Sequence, residues 1–285
     1  MEEMFFRLLG KGLHSPVAIH LLRFTRLLYQ NSHPSWVECN QISLYLPQLP
    51  ASFHGFRLVQ ISDLHLGTWL SLEKLVEVTE IINRYKPDLV AITGDFVSFH
   101  PQEYKRGITE ALRKLITNDG ILAVLGNHDH WTNSEIIRSA LNEAGVIELN
   151  NHAIHIQRGP DRIYFAGIDD HYVGKDRLDL ARDLIPEGAL SILLAHEPDY
   201  AEISSQDGLF HLQLSGHSHG GQIVLPRIGP LYLPMHGRKY PRGLYKVKDM
   251  FLYTNRGLGT AELQIRYNCP PEITIFELQA DPQTG

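Results

Sequence analysis

Only two cysteines occur in 285 residues, Cys39 and Cys269, in unrelated contexts and without metal-ligand spacing. That excludes a disulfide framework and a thiolate zinc site, and makes a reducing cytoplasm the expected setting. No apolar run approaches the roughly 20 residues needed to cross a bilayer. Arg23 and Arg26 interrupt the most apolar N-terminal stretch, which does not fit the layout of a signal peptide. Basic charge is not in excess: 26 Lys+Arg stand against 32 Asp+Glu, a net charge of −6, so the footprint of a duplex-binding protein is missing and no nucleic-acid partner is expected. Low-complexity tracts are missing too, and 43% hydrophobic with 20% charged residues is the balance of an ordered globular chain.

What is present begins with an N-terminal arm over residues 1–35. Ser15 and Pro16 read as N-cap and first helical residue, and Val17 to Tyr29 carries apolar side chains over a wide face, with His20, Arg23 and Arg26 elsewhere. Two readings follow: a helix lying on a membrane surface, which would place the protein peripherally on the inner face, or a helix packed on the domain or on a second subunit. Residues 36–285 read as one domain. Trp36 to Leu46 alternates as a strand, and then short apolar runs (Phe56 to Ile61, Leu89 to Ile92, Ile121 to Leu125, Ile163 to Ile168) alternate with helical patterns such as Leu72, Leu75, Val76 and Thr79. Such alternation predicts a parallel or mixed sheet buried under helices. The last third, with short runs at Ile223 to Leu225, Leu244 to Val247, Phe251 to Thr254 and Ile273 to Leu278, predicts a second, more antiparallel sheet packed on the first.

Five fragments put metal-ligating side chains directly after apolar runs: ISDLHLG, ITGDF, VLGNHD, LLAHEPD and SGHSHGGQ. In open α/β sheets ligands bind beyond the carboxyl ends of strands, where Asp63, Asp95, Asn127 and His196 are predicted to sit. Two divalent cations about 3.5–4 Å apart need a bridging carboxylate with imidazole and oxygen ligands on either side, and this set supplies them. Asp63 and His65 are expected to face one side of an extended dipeptide step, and His217 and His219 to repeat the device, with Gly216, Gly220 and Gly221 forming a tight turn around them.

With these motifs in order (D-x-H, GD, GNHD, H, GHxH), the chain from about Gly55 to Leu278 resembles the calcineurin-like metallophosphoesterases. The resemblance implies a four-layer αββα sandwich of two mixed sheets flanked by helices. It implies two divalent metal ions: Asp63, His65 and His219 on one, Asn127, His196 and His217 on the other, and Asp95 bridging. Mn²⁺ is the ion expected, with Fe²⁺, Zn²⁺ or Co²⁺ also accommodated. The reaction implied is hydrolysis of a phosphoester by metal-activated hydroxide, with His128 as the proton donor to the leaving oxygen. Asp129 is expected either to orient a neighbouring ligand or to cap the next helix, and His130 and Trp131 either to line the substrate mouth or to form an exposed loop pair.

The chain lacks the GDxxDRG and GNHE motifs of serine/threonine protein phosphatases. Ser98 stands where that branch places the carboxylate supporting its catalytic histidine, which disfavours protein phosphatase activity. From GHSHGGQIVLPRIGPLYLP through GRKYPRGLY, TNRGLGT and IRYNCPPEITIFEL, the chain is similar to the bacterial YkuE/YaeI-like phosphodiesterases, some relatives of which act as UDP-diacylglucosamine pyrophosphatases. That similarity makes a phosphodiesterase or pyrophosphatase the expected activity, on a lipid-linked substrate such as UDP-diacylglucosamine or on a nucleotide or nucleic-acid ester; a catalytically inert metal-binding module is the alternative. Arg238, Lys239, Arg242, Asn255 and Arg256 are the candidates for gripping a phosphate, against a solvated basic loop or structural pairs.

Overall fold

A computed structural model describes residues 36–206, 208–261 and 263–280; the predicted N-terminal arm lies outside them. The first sheet and its helices come from strands β1 (Glu38–Tyr45), β2 (Phe56–Ile61), β3 (Leu89–Thr93), β4 (Gly120–Val124) and β5 (Ile147–Glu148), with helices α1 (Leu72–Arg84), α2 (Pro101–Leu112), α3 (Asn127–Thr132) and α4 (Ser134–Ala144) between them. The chain continues through β6 (His152–Arg158), β7 (Asp161–Gly167), the short helix α5 (Leu178–Arg182), β8 (Ser191–Leu194) and β9 (Leu212–Ser215). A hairpin of β10 (Val224–Leu225) and β11 (Gly229–Pro230) precedes β12 (Gly243–Val247), β13 (Met250–Thr254) and β14 (Glu272–Gln279).

Two six-stranded sheets result, ordered β1-β14-β2-β3-β4-β5 and β12-β13-β9-β8-β7-β6. In β3 every residue is buried because both faces are covered. Val90 and Ile92 meet Leu75 and Ile82 of α1 and Ile108 of α2, while Leu89 and Ala91 meet Phe165, Ile192 and Leu214 of the second sheet. The far face of the second sheet, including Tyr164, Leu193 and Leu252, is covered by Ala181 of α5 and by Tyr200 and Phe210. The layers are therefore helix, sheet, sheet, helix, as expected for the αββα sandwich. The helices form for local reasons too: the Ser71 side chain accepts the Lys74 N–H at the start of α1, and Asn133 accepts that of Ile136 at the start of α4. Among the described residues no helix is long and apolar enough to cross a membrane.

Two expectations need correcting. The second sheet is parallel through β7-β8-β9-β13 and antiparallel only at its edge pairs, β6-β7 and β12-β13. Its crossovers include five-residue α5 and single helical turns, too short to show a helical period in the sequence. The Ile273 to Leu278 run does not join that sheet but returns to the first, as β14 between β1, parallel, and β2, antiparallel.

Candidate metal centre

Strands β2, β3 and β4 of one sheet and β8 and β9 of the other end on the same side, and Asp63, Asp95, Asn127, His196 and His217 each follow a strand end within three residues. Buried Gln60 ties the ends together, donating to Thr93 Oγ1 of β3 at 3.1 Å and to the Ser215 carbonyl of β9 at 2.9 Å. Ligand-type atoms of Asp63, His65 and His219 lie within 4.8 Å of one another, and so do those of Asp95, His196 and His217. Asp95 Oδ2 stands between the groups, 3.3 Å from His65 Nε2 and 3.2 Å from His196 Nε2.

The ligand loops are not extended. Asp63 (φ 49°), His65 (φ 44°), Asp95 (φ 57°), His217 (φ 66°) and His219 (φ 52°) all occupy the left-handed region, which corrects the extended dipeptide step expected for Asp63 and His65. For residues with a Cβ this costs about 1–2 kcal/mol each and is kept only where the surroundings over-determine it. Here the surroundings are the loops themselves: Asp63 N donates to the Gly94 carbonyl, and His65 N and Leu66 N to those of Asp95 and Phe96, all at 3.0 Å. His217 N donates to both Asp63 carboxylate oxygens at 3.0 and 3.1 Å. Gly216 permits this approach, since a Cβ there would fall inside Ser62 Oγ and Asp63 Oδ2.

Each imidazole is oriented by a second contact. His196 Nδ1 donates to the Thr93 carbonyl at 2.6 Å, and His217 Nε2 to that of Met235 at 2.8 Å. These bonds leave His196 Nε2 and His217 Nδ1 as acceptors facing inward. His65 Nδ1 lies 2.8 Å from Ser98 Oγ, so the residue without a carboxylate in this sequence supports His65 rather than His128. Asn127 Oδ1 is buried without a hydrogen-bond partner, and His196 Nε2 has only the Asp95 carboxylate at 3.2 Å. An orphaned polar atom costs about 1–3 kcal/mol, and a divalent cation would satisfy the Asn127 oxygen and separate the Asp95–His196 pair as ligands. The donor set of Asp, Asn and His without Cys suits such an ion, so the residues present fit the group.

Electrostatics agree. Burial would depress the His196 imidazolium, but the Asp95 carboxylate, aided by Asp63 and Glu197, holds its pKa well above the ordinary value. Burial would raise Asp95, yet His196 and His128 hold it well below the usual carboxylate range. His196 is thus the imidazole of this cluster whose charged form the neighbouring carboxylates favour. Burial, with His65 beside it, pushes His219 well down, and burial above all brings His128 to about 4. The His128 ring stands edge-on to His65, ring centroids 4.7 Å apart, and tilted against Trp131 at 4.8 Å, while the His128 main-chain N–H donates to Asp95 Oδ1 at 2.9 Å. It also forms a third group with His65 and Asp95 within 4.8 Å.

Asp129 orients the neighbouring Asp95 loop and caps its own helix α3; the next helix, α4, which it was expected to cap, is capped by Asn133 instead. The Asp129 carboxylate accepts Gly126 N at the start of α3 and, from the neighbouring loop, Asp95 N, Phe96 N and Val97 N, at 2.9–3.4 Å. Burial and the Asp95 charge push it up to about 7 against those amides. His130 and Trp131 part company. His130 is buried, 2.6 Å from Asp169, whereas Trp131 is 54% exposed and lines the mouth of a cavity of about 430 Å³. The cavity runs from Asp95, Asn127, His128, His217 and His219 out past Tyr172, Ile223, Leu231, Tyr232 and Leu263.

The five phosphate-gripping candidates are not gathered there. Asn255 is fully buried, bonded to Thr274 Oγ1 at 2.9 Å and Gly257 N at 2.8 Å. Arg256 pairs with Glu272 and, at 2.8 Å, with Glu38. Arg238 and Arg242 are exposed, Arg238 N and Lys239 N both donating to the Asp199 carboxylate at 3.0 Å. None of these residues lines the cavity, and among the described residues no Lys or Arg does.

Three further residues escape sequence reasoning. Buried Arg266 donates to the carbonyls of Arg256, Gly257 and Gly259 and lies 3.4 Å from His219 Nδ1, tying the loop before β14 to a candidate ligand; a lone arginine offers no signal for this. Glu197 accepts the N–H groups of His171 and Tyr172 at 3.3 and 3.0 Å and so pins Tyr172 at the cavity mouth. Asp170, pushed up to about 9 by burial and Glu197, accepts Val173 N at 2.8 Å in the same loop. That pair had a legible signal, since Asp169 and Asp170 follow an apolar run as the ligands do.

Residues 56–221 match the model of the calcineurin-like phosphoesterase family. The uncharacterized metallophosphoesterase YkuE of Bacillus subtilis is 36% identical, over 98% of this chain and 99% of that one. The phosphodiesterase YaeI of Escherichia coli is 30% identical over 78% and 82%. The UDP-2,3-diacylglucosamine pyrophosphatase LpxG of Chlamydia trachomatis is 28% identical over 87% and 91%.

Proposed function

The chain belongs to the calcineurin-like phosphoesterases and is a phosphoester hydrolase, and from that premise we propose that it cleaves phosphodiesters or diphosphates carrying an apolar group. In this reading Asp63, His65 and His219 would hold one divalent cation and Asn127, His196 and His217 a second, with Asp95 able to serve both. The observation that carries it is the position of Asp95 Oδ2, within 3.3 Å of an imidazole nitrogen from each group. Bound cations, with Mn²⁺ the ion we favour, would supply Lewis-acid charge for the phosphoryl oxygens and activate water near neutral pH.

The protein's own side chains do the rest. Backbone pairing of the ligand loops fixes the donors before substrate arrives, and the bonds to Thr93, Met235 and Ser98 hold the imidazoles in one orientation. His128, on the cavity wall beside Asp95, is the residue placed to hand a proton to the departing oxygen. Burial disfavours its charged form, and in this reading the negative charge of a bound phosphoester would offset that penalty. An outer cavity wall of Trp131, Tyr172, Ile223, Leu231, Tyr232 and Leu263, to which no Lys or Arg among the described residues contributes, favours a substituent recognised by contact area over one recognised by charge. A lipid-linked diphosphate, the class named for LpxG, has that character.

The test compares a bis-aryl phosphate with an aryl phosphate, each with Mn²⁺ and after chelation, alongside elemental analysis of Asp95→Ala. Metal-dependent turnover favouring the diester and loss of both ions from the variant are expected. No metal-dependent turnover of either ester would remove the enzyme reading, leaving the inert binding module, and two retained ions in Asp95→Ala would remove the bridge.

A further inference from the structure

The span from Gln222 to Lys248 carries six Lys/Arg and no Asp or Glu, in a chain whose net charge is −6. It contains the small hairpin of β10 and β11, whose pairing of Val224 with Pro230 and Leu225 with Gly229 leaves Pro226, Arg227 and Ile228 at the tip. Its base is fixed to the metal centre. Val224 N donates to the Tyr267 carbonyl at 2.9 Å, Leu231 N to that of Ile223 at 3.0 Å, and His217 to that of Met235. Its outer part is apolar and exposed: Ile228 is 74% exposed, Leu231 55% and Met235 43%, with exposed Arg227 beside Ile228. Leu231 belongs to both surfaces, since it also lines the catalytic cavity.

We propose that this hairpin, with the loop that follows it to Met235, seats on an anionic lipid bilayer and holds the cavity mouth against it. Aliphatic side chains at a projecting tip with arginine alongside match the two layers of such a surface, the acyl boundary and the anionic headgroups. A second copy of the chain fits less well, because a two-fold interface brings the same patch of both copies together and would set the exposed Arg227 of one tip toward that of the other. A bilayer does not have that conflict. Because Leu231 is shared, docking would present lipid-borne phosphoesters to the cavity. That consequence rests on the proposed hydrolase reading, but docking is measured by binding and stands or falls separately.

The experiment uses the full-length Mn²⁺-loaded protein, with residues 1–35 retained, and vesicles of phosphatidylglycerol or of phosphatidylcholine. Parent, Ile228→Glu and Arg227→Glu are compared by co-sedimentation, and Ile228→Cys carries an environment-sensitive fluorophore. Bis-aryl phosphate turnover confirms that each variant is folded and should be unchanged. We expect binding to phosphatidylglycerol over phosphatidylcholine, a blue shift of the fluorophore on binding, and partition roughly 10–100-fold weaker in Ile228→Glu. Arg227→Glu should lose its preference for the anionic lipid. Ile228→Glu binding like the parent would overturn the proposal by assigning any attachment to other parts of the chain. So would an unshifted fluorophore, or a parent dimer that becomes monomeric in Ile228→Glu without vesicle binding.

Discussion

Asp129→Asn preserves shape while removing an acceptor that the centre depends on. Oδ1 accepts Phe96 N at 2.9 Å and Val97 N at 3.4 Å, and Oδ2 accepts Asp95 N at 3.0 Å and Gly126 N at 3.1 Å. An amide has one oxygen. Whichever way it turns, its NH₂ faces two main-chain donors in a fully buried place. Each buried N–H left without an acceptor costs about 1–3 kcal/mol, so the pair costs about 2–6 kcal/mol, and the donor–donor contact keeps the loss off the low end. At about 2–4 °C per kcal/mol for a domain of this size, Tm should fall by roughly 5–20 °C. The measurement is a calorimetric melt at pH 8, where the Asp129 carboxyl, pushed up to about 7, is ionised. Because the lost bonds hold the loop of Asp95 onto the helix of Asn127, metal affinity should drop about 10–100-fold as well. A Tm within about 2 °C of the parent, with both ions retained, would refute the idea that this carboxylate holds the two loops together.

His128→Ala should retain the parent's metal content and slow hydrolysis about 10²–10⁴-fold on esters with poor leaving groups, with a smaller loss on good ones; unchanged turnover on both would take His128 out of the mechanism. Gly216→Ala forces a methyl group into Ser62 Oγ and Asp63 Oδ2, so it should cost about 1–3 kcal/mol in urea unfolding and lower the metal count, whereas full loading at parent stability would show that the turn yields easily. Asp170 is pushed up to about 9 from 3.8, so the folded state keeps a proton that the unfolded state releases above about pH 4, and this group's contribution to stability falls as pH rises from about 4 to 9. Asp170→Asn carries no such proton and can still accept Val173 N; the unfolding free energies of parent and variant should separate in the variant's favour across that window, by at most about 1.4 kcal/mol per pH unit, and parallel profiles would contradict the assignment.

The place of the proposed ligands was legible because metal chemistry restricts residue types and open α/β sheets restrict where such residues stand; Asp63, Asp95, Asn127, His196 and His217 all follow strand ends. The sandwich was legible from the apolar runs, though not the partner of each run. β14 joins the first sheet because the segment after Arg256 is drawn back by Arg266 and by the Arg256 pairs with Glu38 and Glu272, contacts spanning up to 218 residues that no local period encodes. The same contacts explain why Asn255 and Arg256 resembled phosphate ligands: a linear pattern shows charge but not the buried acid that neutralises it. Loop conformation was hidden for a related reason. Asp63 and His65 are left-handed because they pair with Gly94 and Asp95, about 30 residues on, and an isolated D-x-H segment has no cause to adopt that shape. Identity is therefore local at this centre and geometry is not: each fragment brings its donors, but the donors converge only when the two sheets have packed and the loops have tied themselves to one another. Substitutions at Gly216 and Asp129, neither of them a proposed ligand, should on this account lower metal occupancy by a route that leaves all seven proposed ligands in place.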